Sequence, residues 1–223
     1  MPGQPLVVDR VATEHEQVAL TFDACSTRHV TGFDPEVVEV LRNAGASATL
    51  FLGGGWMERY PEQTLKLHAD PLFELGNHSY YHPDLVRSDA ETVRREIRNT
   101  QSRVRALTGE YPTLFRAPFG RVSSRLVTEA AAQGLVTVQF DVASGDADAS
   151  ADPSEVAEYV LDQVRPGSIV VLHMNNPDLP TARALPSILD GLAEQGLKPV
   201  TVSRLLEDGA GKDGSPGDSG DGK

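Results

Sequence analysis

The chain contains a single cysteine, Cys25, among 223 residues, so an intrachain disulfide cannot form and a zinc site built from several cysteines is excluded. Basic residues are also few. Twenty lysines and arginines stand against 32 aspartates and glutamates, the net charge is −12, and no basic block occurs, which argues against nucleic-acid binding. No apolar run approaches the roughly 20 residues that a membrane span requires. The first ten residues show no basic start followed by the apolar stretch of a signal peptide.

Hydrophobic residues make up 39% of the chain, which is enough apolar material for one sizeable core, and we expect one domain. Its predicted bounds are residues 17–208, after an N-terminal extension at residues 1–16. Residues 209–223 are mostly Gly, Asp and Ser, and this composition predicts a disordered tail.

Strand and helix patterns alternate along the chain. A first buried strand is predicted at residues 17–22, followed by a helix at 35–43. Further helices are predicted from Trp56 to Ala69 and, with Ser88 as its N-cap, from Asp89 to Leu107. About seven such βα-like units predict an α/β fold with a parallel sheet, either closed into a barrel or doubly wound.

Polar side chains that could take part in catalysis or metal binding follow the predicted strands at their carboxyl ends. In chain order they are Asp23, His78, His82, Arg116, Asp141, Asp146 and His173. Ligands bind at that edge in parallel α/β folds, so the pattern predicts that these residues converge on one site.

His78 and His82 are four residues apart, directly after an apolar segment. On one turn of helix this spacing brings two imidazoles to the same face, where both can bind one metal ion. Tyr81, between them, is predicted to line a pocket. The alternative is a capping cluster in which Asn77 and Ser79 hydrogen-bond to the turn.

Asp23 ends an apolar strand, where a carboxylate must be paired to be tolerated. Arg116 is a suitable partner, because its guanidinium can hold Asp23 ionised by a two-pronged contact and leave the other carboxylate oxygen to accept a proton from water. His173, after four apolar residues, is either a third metal ligand or a proton donor. Asp146, or else Asp141, is predicted to hydrogen-bond to its second ring nitrogen and raise its pKa.

Together these residues resemble the polysaccharide deacetylase family, the NodB-homology carbohydrate esterases. The matching segments, in family order, are Thr21-Phe22-Asp23, His78-Ser79-Tyr80-Tyr81-His82, Arg116-Ala117-Pro118-Phe119-Gly120, Asp141 through Asp146, and Leu172-His173. The resemblance implies a distorted (β/α)7 TIM-like barrel and a divalent metal, usually zinc. It also implies removal of N-acetyl groups from an amino-sugar polymer, peptidoglycan or chitin-like, outside the cytoplasm.

The resemblance further implies a role for each matching residue. The catalytic residues are Asp23 as general base, Arg116 as its orienting partner, His173 as general acid and Asp146 as the residue that tunes His173. The metal ligands include His78 and His82, and the substrate and oxyanion region includes Phe119, through its backbone N–H, with Pro118 and Tyr81.

The chain departs from the family at the third metal ligand. Most members have an aspartate where this sequence has Ala24, which cannot bind a metal. Cys25, Asp23 itself or His29 can take that place, and Cys25 is adjacent and offers a thiolate. Otherwise the metal rests on two histidines with lower affinity, or the chain keeps the fold without turnover. A second departure is Ala147, where the family usually has tryptophan.

We expect a retained active site, because the base, its arginine, the acid and the tuning aspartate are all present. Two other functions fit the same barrel. One is a non-catalytic carbohydrate-binding domain, and the other is a non-sugar C–N hydrolase similar to allantoinase. The sequence places no constraint on the oligomeric state.

Overall fold

The computed structural model describes residues 6–27 and 32–210. Within them lie nine strands, and the strands are Val7–Val8 (β1), Gln17–Ala24 (β2), Ala48–Leu52 (β3), Phe73–Asn77 (β4), Leu114–Phe115 (β5), Val136–Val138 (β6), Val142–Ala143 (β7), Ile169–His173 (β8) and Lys198–Val200 (β9). The α-helices of the same residues are Pro35–Ala44 (α1), Gly54–Arg59 (α2), Pro61–His68 (α3), Ala90–Thr108 (α4), Ser124–Ala132 (α5), Pro153–Gln163 (α6), Thr181–Glu194 (α7) and Val202–Ala210 (α8). No helix in this part of the chain combines the length and apolar character that crossing a bilayer requires.

The strands form one curved parallel sheet in the order β1-β6-β5-β4-β3-β2-β8-β7, and β9 pairs with the start of β2. The predicted α/β class with a parallel sheet is therefore confirmed. Pairing places Asp23 of β2 opposite Phe51 of β3 on one side and His173 of β8 on the other. The carboxyl ends of the central strands thus meet at one edge of the sheet, where the helix-linking loops begin.

Both ends of the described chain contribute to the sheet and its core. Val7–Val8, in the segment that we expected to be an extension, pairs with β6. Arg10 then forms an antiparallel bridge with Ser168 at the start of β8, so this segment lies between β6 and β8. At the other end α8 extends to Ala210 and packs Val202 and Leu205 into the core. Residues 211–223 of the predicted tail lie outside the described residues.

Two predicted helix boundaries differ from the structure. The helix predicted from Trp56 to Ala69 is two helices, which meet at Tyr60, because Pro61 lacks a backbone N–H and begins α3 at its first position. The N-cap of α4 is Asp89, whose carboxylate accepts from the Thr92 N–H at 2.7 Å. Ser88 instead donates its hydroxyl to the carbonyl of Asp84.

Strand β2 runs through the middle of the core and is buried along almost its whole length. Its alternate side chains Leu20, Phe22 and Ala24 join one large apolar cluster with side chains of α1, α2 and α7. Thr21 and Asp23 point to the other face, towards Arg116. The two-residue period of the strand therefore separates a packed face from the face that carries polar chemistry.

We expect Leu20→Ala to lower the free energy of unfolding by about 2–5 kcal/mol, because Leu20 is fully buried and truncation leaves a cavity. Urea denaturation followed by circular dichroism measures the change. Leu65→Ala is the matched control, since Leu65 is 45% exposed on α3, and it should change stability by no more than about 0.5 kcal/mol. Equal effects of the two substitutions would contradict the position assigned to the core.

Candidate active site

A cavity of about 330 Å³ opens at the carboxyl edge of the sheet. Its lining combines acidic, thiol and imidazole groups with apolar side chains: Asp23, Cys25, His82, Phe119, Gly120, Phe140, Ala143, Ser144, Gly145, Asp146, Ala147, Val171 and His173. Residues from six separate strands and the loops that follow them therefore converge at this edge. Ala147, in the place of the family's tryptophan, leaves this side of the cavity without a large side chain.

Asp23 and Arg116 form a buried ion pair beneath the cavity. Arg116 is fully buried, and its Nη1 lies 3.0 Å from Asp23 Oδ1 and 2.6 Å from Thr21 Oγ1. Its remaining N–H groups donate to the carbonyl oxygens of Val138 and Gln139. The guanidinium plane also packs on the ring of Phe51, 4.2 Å from the ring centre. Arg116 thus holds one oxygen of Asp23 and leaves Oδ2 directed elsewhere.

The carboxyl group of Asp23 titrates below its ordinary range. Burial raises the pKa of Asp23, but electrostatic interactions with the His78 imidazole and with the Arg116 guanidinium lower it by more. Burial itself keeps the pKa of His78 low, so His78 is neutral at neutral pH. The permanent charge of Arg116 is therefore what keeps Asp23 ionised under those conditions.

His173 is held by Asp146. Its Nδ1 lies 2.8 Å from Asp146 Oδ1, and its backbone N–H donates to Oδ2 of the same carboxylate. Burial lowers the pKa of His173, while the hydrogen bond and charge of Asp146 raise it, and the net shift is upward. Of the two aspartates proposed for this contact, the structure selects Asp146. Asp141 instead accepts from the Ser168 hydroxyl and the Ile169 N–H at the start of β8.

His78 directs a lone pair towards Cys25 and Asp23, two residues that line the cavity. Its Nδ1 lies 3.0 Å from the carbonyl oxygen of Arg116, which can only accept, so Nδ1 carries the proton and Nε2 is free of it. Nε2 lies 3.5 Å from Cys25 Sγ and 3.6 Å from Asp23 Oδ2. The Arg116 carbonyl therefore fixes both the tautomer and the direction of this imidazole.

Cys25, His78 and His82 form the cluster of potential metal ligands. Within the described residues, their ligand atoms all lie within 4.8 Å of one another. A tetrahedral zinc ion with bonds of about 2.0–2.3 Å requires nitrogen–sulfur separations of about 3.5 Å, and the Cys25–His78 separation has that value. Burial lowers the pKa of His82 to about 3, so both imidazoles are neutral, as ligation requires. The residues present fit a divalent metal.

The other candidates for the third ligand position differ from Cys25. Asp23 is already bonded to Arg116 through Oδ1. Ala24 is fully buried in the apolar cluster of β2, and its methyl side chain offers no ligand atom. His29 lies outside the described residues. Burial and the charge of Asp23 raise the pKa of the Cys25 thiol, so the thiol is protonated until a metal displaces its proton.

The predicted substrate residues occupy different positions. Phe119 adopts a positive φ of 61°, is 62% exposed and packs its ring against His82, with ring centres 4.6 Å apart. Pro118 is buried and begins the short 3₁₀ turn that carries Phe119. The Tyr81 ring packs beside Tyr80 and over Gly55, and it does not line the cavity that contains Asp23 and His173.

Backbone strain is concentrated around this site. Among the described residues other than glycine, positive φ occurs at Ser79, His82 and Phe119. Each such residue costs of order 1 kcal/mol or more and persists only where the surroundings fix it. Two of these residues bracket the loop between the imidazoles, so that loop is held in a conformation that it does not prefer.

Several residues that hydrogen-bond to the site are not predicted from the sequence. Thr181 donates its hydroxyl to Asp146 Oδ2, and Glu96 accepts the N–H groups of Tyr80 and Tyr81. Thr21 accepts from Arg116 and donates to the Val170 carbonyl. Of these, only Thr21 carries a signal in the sequence, since it lies two residues before Asp23 on the same face of a strand.

A second cavity of about 380 Å³ lies at the opposite, amino-terminal edge of β4 and β5. Two of the three carboxylates that line it are already engaged. Asp70 pairs with Arg42 at 2.7 Å, and Glu74 accepts from Thr49 and Ser203. The Asp23 and His173 side chains lie instead at the smaller cavity.

We expect the pKa of His173 to lie above the ordinary histidine value in the metal-free protein and to fall in Asp146→Asn, because the amide removes the charge that stabilises the imidazolium. Proton–carbon NMR titration of the histidine rings measures both values. Asp141→Asn is the matched control and should leave the pKa of His173 in place. A pKa that is unchanged in Asp146→Asn would refute this assignment.

Comparison with known proteins agrees with the geometry. The family model described as "Polysaccharide deacetylase" matches residues 10–138. The peptidoglycan-N-acetylmuramic acid deacetylase PdaA of Bacillus subtilis is 30% identical over 197 residues, which cover 87% of this chain and 73% of PdaA. The chain spans only 40% of another relative, the peptidoglycan-N-acetylglucosamine deacetylase PgdA of Listeria monocytogenes.

Solved structures give the same result for the fold. The Bc1960 peptidoglycan N-acetylglucosamine deacetylase superposes with a TM-score of 0.82 at 25% identity, over 89% of this chain and 92% of that one. BA3943 of Bacillus anthracis, described as a CE4 family pseudoenzyme, gives 0.82 at 26% identity, over 92% and 70%. The predicted TIM-like barrel is confirmed, and the chain belongs to the polysaccharide deacetylase family of carbohydrate hydrolases.

Proposed function

We propose that the protein is a metal-dependent hydrolase that removes N-acetyl groups from an amino-sugar polymer, peptidoglycan or a chitin-like polysaccharide. Such a polymer lies in the cell envelope, so the proposed place of action is outside the cytoplasm. PdaA and the Bc1960 enzyme, both similar to this chain, are named as peptidoglycan deacetylases.

One observation carries the proposal: a proton acceptor and a proton donor face the same cavity beside three converging metal-ligand atoms. Asp23 is kept ionised by Arg116, and His173 is kept protonated to higher pH by Asp146. A carboxylate and an imidazole whose pKa values are pushed apart are suited to act as general base and general acid.

Hydrolysis of an amide uses the metal, the base and the acid in successive steps, in which water attacks the carbonyl carbon and the C–N bond then breaks. A divalent metal held by His78, His82 and Cys25 would supply Lewis-acid polarisation of the amide carbonyl and of water. Asp23 Oδ2 accepts the proton of the attacking water, because Oδ1 is occupied by Arg116. His173 then donates its proton through Nε2 to the leaving amine, since Nδ1 is bonded to Asp146.

Phe119 is assigned to the oxyanion through its backbone N–H. The positive φ of Phe119 and its place in the cavity lining support this role, because the turn directly follows Arg116 and presents main chain to the site. Pro118 fixes the start of that turn. Tyr81 packs on α2. Its proposed role is therefore to support the loop between His78 and His82, and not to contact the substrate.

Zinc is the proposed metal. Thiolate and imidazole ligands favour zinc over the harder magnesium or calcium ions, which prefer oxygen. Three protein ligands with an open fourth position are the usual arrangement of a catalytic zinc site. Cys25 is proposed as the third ligand, and its thiol must lose a proton when the metal binds.

A non-catalytic barrel is the second candidate function. Ala24 stands where the family's aspartate ligand is usual, and a pseudoenzyme of the same fold superposes closely on this chain. On this alternative the chain binds the polymer without hydrolysing it. Retention of both the Asp23–Arg116 and the His173–Asp146 pairs argues for turnover, because neither pair is needed to bind a sugar.

We expect the zinc-loaded protein to release acetate from peptidoglycan fragments or chitooligosaccharides. Asp23→Asn and His173→Ala should each lower kcat/KM by about 10²–10⁴-fold, since each removes a proton-transfer group. Acetate is quantified by NMR, and Asp141→Asn serves as the control with activity near that of the parent.

Absence of acetate release from both polymers by folded, zinc-loaded protein would exclude the deacetylase. Binding of the same oligosaccharides by that protein would then establish the non-catalytic barrel. Turnover of small ureides without acetate release would instead identify an allantoinase-like hydrolase.

The thiolate ligand has its own test. Cys25→Ser should weaken zinc binding by more than about 100-fold, because loss of an outer-shell partner alone costs roughly 10–100-fold. Competition with a chromogenic chelator measures the affinity. The cobalt-substituted parent should show thiolate-to-cobalt charge-transfer absorption that Cys25→Ser lacks.

His68→Ala is the control, since this imidazole lines the separate cavity at the other edge of the sheet. Cys25→Asp, which restores an oxygen ligand, should recover part of the affinity. Full zinc affinity in Cys25→Ser would remove Cys25 from the ligand set.

A further inference from the structure

The loop between the two imidazoles is short and strained. Ser79 and His82 adopt positive φ values of 59° and 55° at its two ends. Neither residue is a glycine, so both lie in a region that L side chains seldom occupy. Without external contacts, this loop would relax and move His82 relative to His78.

The N–H groups of the loop are held by one buried carboxylate. Glu96, in the middle of α4, accepts from the Tyr80 N–H at 2.9 Å and from the Tyr81 N–H at 2.8 Å, both through Oε2. The side chain of Glu96 is only 7% exposed. Among residues 6–27 and 32–210, the hydrogen-bond donors to this carboxylate are backbone N–H groups, an arrangement that fixes a main-chain path.

The carbonyl groups of the same loop are held from the opposite side. The Gly54 N–H donates to Ser79 O at 3.0 Å, and the Gly55 N–H donates to Tyr80 O at 2.9 Å. Ser26 adds its hydroxyl to Tyr80 O. The first residues of α2 therefore bind the carbonyl groups of the loop, and the Glu96 carboxylate of α4 binds its N–H groups.

We infer that Glu96 is the positioning residue that sets the geometry between His78 and His82. It touches neither imidazole, and it acts through the two peptide N–H groups that lie between them. This inference rests on the proposed metal site, and it adds a residue that the family motifs do not contain. Loss of the Glu96 carboxylate frees the strained loop and separates the two ligands.

The affinity of the metal-free protein for zinc tests this role. Glu96→Ala should weaken zinc binding by about 10–100-fold, the range seen when outer-shell partners are removed. Glu96→Gln should stay within about threefold of the parent, because its amide oxygen can still accept both N–H groups. Glu91→Ala, on the exposed face of the same helix, is the matched control and should bind as the parent does.

A general loss of stability would not produce this pattern. Circular dichroism establishes that each variant is folded, and the visible spectrum of the cobalt-substituted protein reports the ligand geometry directly. Should Glu96→Ala fail to fold, Glu96→Asp takes its place, since its shorter side chain keeps the charge but cannot reach both N–H groups. Parent-like affinity and spectrum in the folded Ala or Asp variant would overturn the inference.

Failure of the proposed metal site is distinguishable from failure of this inference. If the parent itself binds no zinc, the metal function is wrong, and hydrogen exchange of the Tyr80 and Tyr81 amides then decides the role of Glu96. Faster exchange at both amides in Glu96→Ala than in Glu91→Ala would support positioning. Equal exchange in the two variants would refute it.

Discussion

The buried contact between Arg116 and Asp23 is the constraint on which the active site depends. A guanidinium cannot lose its charge, so complete burial of Arg116 requires an acceptor for nearly every N–H group. The acceptors are Thr21 and Asp23 of β2 and the carbonyl of Gln139, directly after β6. Arg116 therefore links two strands that are not neighbours in the sheet. The same residue uses its carbonyl to orient His78. The Arg116 side chain and its carbonyl group therefore fix both Asp23, the proposed base, and His78, a proposed metal ligand.

Such a pair contributes precision more than stability. Desolvation of two charges offsets most of their attraction, so a buried ion pair is weak evidence for a stable fold, whereas removal of one partner is costly. Three buried apolar clusters stabilise this barrel, and the largest of them lies on the other face of β2. The strand divides the two tasks by its two-residue period. Asp23 can therefore carry a functional charge within one residue of fully buried Phe22 and Ala24.

The sequence predicts the residues that line the site better than the residues that hold them in place. Parallel strands end at one edge, so Asp23, Arg116 and His173 could be placed together from their positions after apolar segments. Long-range partners leave no such pattern. Glu96 sits in a helix rich in charged residues, where a glutamate normally faces water, and only the packing of α4 against the loop shows that this one is buried. Strand β1 is two residues long, which is too short for alternation to register.

The positions of Ala24 and Cys25 at the end of β2 explain how the chain can lack the family's aspartate and still offer a ligand. Ala24 is the last residue of β2 and continues the alternation of Leu20 and Phe22 into the core, whereas Cys25 follows the strand end and is free to turn its sulfur towards His78. An oxygen ligand is thus absent at one position while a sulfur donor is present at the next. A thiolate donates more charge to zinc than a carboxylate does, and this reduces the Lewis acidity available to substrate. Burial and the nearby charge of Asp23 oppose ionisation of the Cys25 thiol, so a metal must displace the thiol proton when it binds. A Cys/His/His centre in this barrel should therefore hold zinc more selectively than an Asp/His/His centre and polarise the amide less, so that more of the rate must come from Asp23 and His173.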